Sequence, residues 1–189
     1  SIEKGTLTAQ MDGQLQNALA NWISDSDESS NDQRIQYGNI IENFVSSIEM
    51  TIKNVDSVQI YAGSRVFYSA NFNRSDYDLK DFIHEDWYLR TQHSKGGIVL
   101  FGTHLPFHRV NAKDPVISIA RVINKVGSKQ PLGIMLIDIR LDSLREILKL
   151  SETSKRSFTI IDGQGASIYN SERVSSSSSM AIPLEAEKL

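Results

Sequence analysis

Gly133-Ile-Met-Leu-Ile-Asp-Ile139 is apolar at all but one position past its glycine. A run of that length and character is covered on both faces, so it is expected to be the central strand of a sheet. Just upstream, Ile98 to Thr103 and Val116 to Val126 are rich in β-branched residues and are expected to be strands as well, with the third strand spanning Leu132 to Arg140. The connections between them are too short for a helical crossover, which makes neighbouring strands antiparallel. Further out, Val58, Ile60 and Ala62 alternate with other residues, Gly63-Ser64 supplies a turn, and Val66-Phe67-Tyr68 starts a return strand. Residues Val55 to Ala70 therefore read as a β-hairpin.

Helical spacing surrounds this strand pattern. Ile41, Phe44, Val45, Ile48 and Ile52 recur every three or four residues and form the buried face of a helix that ends near Lys53 and Asn54. Before it, Leu7, Met11, Leu15, Ala18 and Trp22 form a narrower stripe. That stripe is expected to belong to one lightly packed helix, close in pattern to a coiled-coil seam. The polar, acidic stretch Ser24 to Asp32 separates the two helices as a surface loop. A polar loop, Asn71 to Asp78, leads to a short amphipathic helix around Asp81 to His93 that carries Trp87 and Tyr88 and stops at Gly96-Gly97. Leu141 to Leu150 is a further helix. Phe158 to Ile161, the turn Asp162-Gly163-Gln164-Gly165, and Ala166 to Tyr169 make a second hairpin. The five serines 175–179 read as a spacer. The expected fold class is α+β: long N-terminal helices with a PAS-like, mostly antiparallel sheet. Three regions follow, 1–54 helical, 55–150 the sheet module, and 151–189 the start or remnant of a short or incomplete second module.

Several function classes are excluded. The chain has 189 residues and a formal charge of −3, with no broad basic field to draw in a nucleic-acid backbone. It has no cysteine, hence no disulfide, thiolate zinc site or cysteine nucleophile. No apolar run approaches the roughly 18 residues of a membrane span, and no signal-peptide order opens the chain. Without an initiating methionine, and with a serine run near its end, the sequence is expected to be part of a longer protein. His104 and His108 are four apart, but Pro106 between them breaks any helix that would aim both at a metal, so they are expected to be loop histidines in water. No G-x-S-x-G elbow is present, Gly96, Gly97 and Gly102 follow a helix instead of preceding one, and the Asp162 turn lacks the later ligands of a calcium loop. No catalytic residue, metal or cofactor is expected.

The informative cluster is aromatic and polar. Trp87, Tyr88, Phe101, His104, Phe107, Arg121 and Asp138 combine apolar faces with single polar tips, the mixture that lines small-molecule pockets. Asp138 interrupts an apolar strand, so its carboxylate needs a partner: Arg121, a cluster of backbone amides, or a bound cation or amine.

Taken together, His84-Glu-Asp-Trp-Tyr-Leu-Arg90, Gly102-Thr-His104, Val116-Ile-Ser-Ile-Ala-Arg-Val-Ile123 and Leu132-Gly-Ile-Met-Leu-Ile-Asp-Ile139 followed by Leu144 resemble the double-Cache (dCache) sensor domain, in the form found in YesM-type sensor histidine kinases. The resemblance covers roughly residues 1 to 170. It implies the extracellular, signal-sensing domain of a bacterial transmembrane histidine kinase in a two-component system, lying outside the cell membrane between two spans. A chemotaxis receptor or a diguanylate cyclase is the alternative output. A homodimer through the N-terminal helix is expected, with either a small ligand (a sugar, amine or organic acid) or an extracellular solute-binding protein as partner. Ala181-Ile-Pro-Leu184 is similar to the family's last strand before the membrane. In dCache domains that bind amino acids, an arginine two places before a Trp-Tyr pair holds the ligand carboxylate, and later aspartates hold its ammonium. Trp87 and Tyr88 match the pair and Asp138 the last aspartate. Glu85 stands at the arginine's place, and the Tyr-x-Asp element falls near Thr103 and Leu105. The implied ligand-binding residues are Trp87, Tyr88, Phe101, His104, Arg121 and Asp138.

Overall fold

The computed structural model describes residues 2–24, 31–69, 82–141, 159–161 and 167–170. Three N-terminal helices, α1 (Ile2–Met11), α2 (Gly13–Ser24) and α3 (Asn31–Thr51), precede the hairpin β1 (Val55–Ala62) and β2 (Arg65–Tyr68). A single 3-10 turn at Phe82–His84 leads into α4 (Asp86–His93), followed by β3 (Ile98–His104), β4 (Val116–Asn124) and β5 (Pro131–Arg140). The short strands β6 (Thr159–Ile161) and β7 (Ser167–Asn170) pair with each other. The large sheet has the order β2-β1-β5-β4-β3 with every neighbour antiparallel. This is an α+β, PAS-like sheet, and the apolar run Gly133 to Ile139 is its central strand.

Because strand side chains alternate, the sheet has two different faces. Val58, Ile60, Phe67, Met135, Ile137 and Ile139 point to one side and meet Leu15, Leu19, Trp22, Ile41, Phe44 and Val45 of the helices in the larger core. Tyr61, Ala120, Val122, Ile134 and Leu136 point to the other side, where Phe82, Trp87 and Tyr88 cover them. The hairpin β6–β7 packs its Ile168 and Tyr169 with Ile117 and Leu141. It reaches β3 closely: a Cβ at Gly102 would stand 3.0 Å from the Ser167 carbonyl oxygen, and the Thr103 hydroxyl donates to the Ile168 carbonyl at 2.7 Å.

The N-terminal stripe is not one lightly packed helix. Asp12 divides it, its Oδ1 accepting from the Leu15 amide at 2.8 Å as a helix cap. Leu7 and Met11, expected on the seam, are exposed, whereas Leu15, Ala18 and Leu19 are fully buried. Two glutamines then dock the helices on β4. Gln10 donates to the Val122 carbonyl at 2.6 Å and accepts from the Asn124 amide at 3.2 Å. Gln16 donates to the Asn124 carbonyl at 3.0 Å and accepts from the Val126 amide at 3.1 Å. A primary amide has one donor side and one acceptor side, so each glutamine stands in for a strand neighbour where β4 runs out. The acidic stretch between Ser24 and Asn31, the loop Asn71 to Asp78, the helix beyond Leu141, the turn Asp162 to Gly165, the serine run and Ala181 to Leu184 lie outside the described residues.

Candidate functional site

The helix α4 and the loop after β3 form one wall of an open cleft of about 510 Å³, lined by Glu85, Trp87, Arg90, Phe101, His104 and Phe107 among others. Its organising feature is a stack of three rings. Trp87 lies parallel to Phe107 at 5.1 Å, and Phe107 lies nearly parallel to His104 at 4.1 Å. Phe101 meets Phe107 edge-on at 5.4 Å. Pro106 is buried inside this loop, and the rings on either side of it, His104, Phe107 and His108, pack against Phe101 and Trp87.

The polar groups of the cleft are mostly acceptors. Glu85 takes a hydrogen bond from the Trp87 indole N–H at 2.7 Å with one oxygen, and its other oxygen lies 3.7 Å from His108 Nδ1. Burial holds the His104 imidazole below the usual histidine range, although its contact with Leu105 pulls the other way. The ring is therefore neutral at pH 7. Its Nδ1 lies 2.6 Å from the Leu105 carbonyl, which only accepts, so Nδ1 carries the proton and Nε2 is an acceptor. That Nε2 and His108 Nε2 are buried without a hydrogen-bond partner among the described residues. The one cation in the lining among the described residues, Arg90, lies over the Phe101 ring at 5.0 Å and 3.9 Å from Asp86. The expectation that both histidines sit in water is corrected here. The His108 side chain is 3% exposed, and its ring is enclosed by Tyr61 at 5.9 Å and Trp87 at 5.8 Å. Among the described residues no three His, Asp or Glu side chains gather as a metal site.

Asp138 lies deeper, on the same face of the sheet. Phe101 is opposite Ser118, Ser118 opposite Asp138, and Asp138 opposite Ser57, so register alone lines these four across β3, β4, β5 and β1. The Ser118 hydroxyl donates to Oδ1 at 2.5 Å and the Ser57 hydroxyl to Oδ2 at 2.9 Å. Gln59 donates to Ser57 at 3.2 Å, and the Tyr61 hydroxyl donates to Gln59 Oε1. Desolvation pushes the Asp138 carboxyl up to about 6. The two serines and Arg109 oppose the rise, and Asp56 adds to it. Arg109 itself is paired with Asp56 at 2.9 Å.

Arg121 is not the partner of Asp138. It pairs in register with Met135, one residue out of phase with Ser118, and so points to the helix side of the sheet. There its Nε donates to the Gly96 carbonyl at 2.9 Å and its Nη1 to the Thr6 hydroxyl at 3.5 Å. Of the six residues singled out from sequence, Trp87, Phe101 and His104 come together in the cleft. Asp138 lies beneath them in the same row, Tyr88 turns to the other side of α4, and Arg121 is on the opposite face. The residues that sequence reasoning passed over as ligands or buried groups are Glu85, His108 and Ser118. A serine facing an isolated aspartate across a strand pair is a signal visible only once register is known.

No family model matches the chain, and no curated protein does. Solved structures do match in fold. The ligand-binding domain of the Campylobacter jejuni chemoreceptor Tlp3, in complex with 4-methylisoleucine, aligns with a TM-score of 0.53 and 17% identity over 92% of this chain and 65% of that one. The extracellular domain of vpHK1S-Z8, assigned as a histidine kinase, gives 0.54 and 16% over 79% and 53%. A domain of a protein assigned to the sensory box/GGDEF family from Vibrio parahaemolyticus gives 0.55 and 15% over 80% and 56%. The chain thus spans about two thirds or less of the length of these structures. It has the PAS-like α+β fold of Cache sensory domains.

Proposed function

We propose that the chain is the extracytoplasmic sensing domain of a membrane-spanning bacterial signalling protein, and that its small ligand binds in the cleft between α4, β3 and the 104–109 loop. The observation that carries this reading is the Trp87–Phe107–His104 stack, which forms an aromatic wall open to solvent beside an acceptor-rich floor. Aromatic faces with a few convergent polar groups suit a small organic ligand. The fold supports the same reading, since the matched structures include domains described as ligand-binding and as sensory, and the extracellular domain of a histidine kinase. Glu85 is the acceptor that a ligand can reach, since the free Nε2 of His104 is buried, and a carboxylate here would meet Glu85 with like charge, while Arg90 is engaged with Asp86 and the Phe101 face. The cleft therefore favours a ligand rich in donors, an amine or a sugar, over the amino-acid carboxylate that the dCache motif would hold with an arginine. A thermal-shift screen of sugars, amines and organic acids, read together with tryptophan fluorescence, tests it. An amine or sugar that stabilises the chain and loses its effect in Glu85→Gln and Phe107→Ala supports the reading; an amine or sugar whose effect survives both substitutions overturns it.

The output we propose is a histidine kinase of the YesM type, with a chemoreceptor or diguanylate cyclase as the alternative, and a homodimer through the N-terminal helices. Exposed Met11 and Met50 on α1 and α3 support such an interface. The residues beyond the next membrane span decide the output. No helix among the described residues is long and apolar enough to cross a membrane. A second reading replaces the small ligand with a ligand-loaded solute-binding protein. It rests on exposed Leu105 and Val110, which lie within the 104–113 loop, and co-purification with such a protein would favour it.

A further inference from the structure

A second cavity, of about 680 Å³, lies on the far side of α4 at the opposite end of the sheet. Its floor is apolar: Tyr61, Val122, Leu132 and Ile134 are each at most 3% exposed. Gly63 stands at its mouth with nothing within 4 Å of where a Cβ would be, and Ile23 of α2 is 41% exposed there. The volume lies within the roughly 300–1,000 Å³ of small-molecule sites.

The charge around it is one-sided. Lys95 and Lys129 line it, and among the described residues no aspartate or glutamate does. Neither lysine makes an ion pair among the described residues. Lys95 is not needed to cap α4 either. The last carbonyls of that helix are taken by backbone amides, Ser94 to Thr91 at 3.1 Å and Lys95 to Gln92 at 3.4 Å, and by the Ser94 hydroxyl to Thr91 at 2.7 Å. The backbone that presents Lys95 leaves α4 in a left-handed turn. Lys95 has φ +53° and Gly96 φ +95°, and Arg121 anchors the Gly96 carbonyl from the helix side. Tyr88, its partner Gln92 and Asn124 also line the cavity; burial raises the Tyr88 phenol above its ordinary value, so it keeps a proton to donate.

We infer that this cavity binds a small organic anion with an apolar body, its carboxylate between Lys95 and Lys129 and its hydrocarbon part on Tyr61, Val122 and Ile134. The site is separate from the cleft, and its chemistry is opposite. The test is calorimetric titration of the chain with hexanoate and 3-phenylpropionate, with hexylamine and hexanol as controls of similar apolar size. The carboxylates are expected to bind, to weaken about threefold to tenfold for each of Lys95→Gln and Lys129→Gln, and to be blocked by Ile23→Trp at the exposed mouth. Glu85→Gln is expected to leave them unchanged, which separates this site from the cleft. Three results would overturn the inference: no carboxylate binding, equal binding of hexylamine or hexanol, or full carboxylate affinity in a lysine double variant whose circular dichroism is that of the parent.

Discussion

Two cavities flank α4, and adjacent residues of that helix turn to different ones. Trp87 stacks on Phe107 in the acceptor-rich cleft, while Tyr88 packs on Phe82 at 5.4 Å and reaches the lysine-lined cavity. Successive residues on a helix diverge by about 100°, so a single Trp-Tyr dipeptide serves two walls. The contrast is chemical as well as spatial. The cleft joins aromatic faces to Glu85 and a neutral His104; the cavity joins aliphatic faces to two ammonium groups. On the two proposals above, one helix divides a donor-seeking site from an anion-seeking one.

Replacing Trp87 by alanine should have the largest effect, since the ring also touches Tyr61 at 4.9 Å and Tyr88 at 5.6 Å beneath both walls. About 3–5 kcal/mol of stability is expected to go in urea titrations, and Tyr88→Phe should cost less than about 1 kcal/mol while leaving the cleft intact. Comparable losses from the two substitutions would erase the distinction between them.

Next in size is a pH effect that belongs to the cleft side alone. The Asp138 carboxyl titrates near 6 in the folded chain against an ordinary value of 3.8. Between those values the folded protein holds a proton that the unfolded chain has released, so stability falls as pH rises through that window, by about 3 kcal/mol in all. Asp138→Asn lacks the titration. Its stability relative to the parent should rise from pH 4 to pH 7, and parallel curves would show that Ser57 and Ser118 fully compensate for burial.

Much of the architecture was readable before any coordinates. Strand order along the chain, the apolar face of α3 and the centrality of Gly133 to Ile139 all follow from hydrophobic period, which is a local property. Arg121 shows where that stops. Its parity within β4 is plain in the sequence, but whether it meets Asp138 depends on the register set by the Lys125 to Gln130 turn, and a shift of one residue would have reversed the answer. The packing of the N-terminal helix was missed for a related reason. Gln10 and Gln16 carry no apolar period, yet they supply amide groups where β4 loses its neighbour.

A smaller test concerns how the cleft is joined to β6–β7. Ser167 lines the cleft, and Gly102 leaves room for its carbonyl. Gly102→Ala should cost on the order of 1 kcal/mol and expose the amides of 167–170 to faster hydrogen exchange; unaltered protection there would mean the hairpin adjusts freely. Smallest of all, Glu85→Gln and Lys129→Gln should each change stability by less than about 1 kcal/mol while moving ligand preference in opposite senses, the first against amines and the second against carboxylates.

The sequence by itself determined an α+β domain with an antiparallel sheet and an aromatic helix beside it, because those features depend on periodicity and on turn residues close in the chain. Only the tertiary structure decided which polar groups meet. It set Asp138 between two serines, turned Arg121 to the other face, and parted Trp87 from Tyr88. Those pairings depend on strand register and on the path of the 104–109 loop, contacts between residues far apart in sequence that no local pattern encodes.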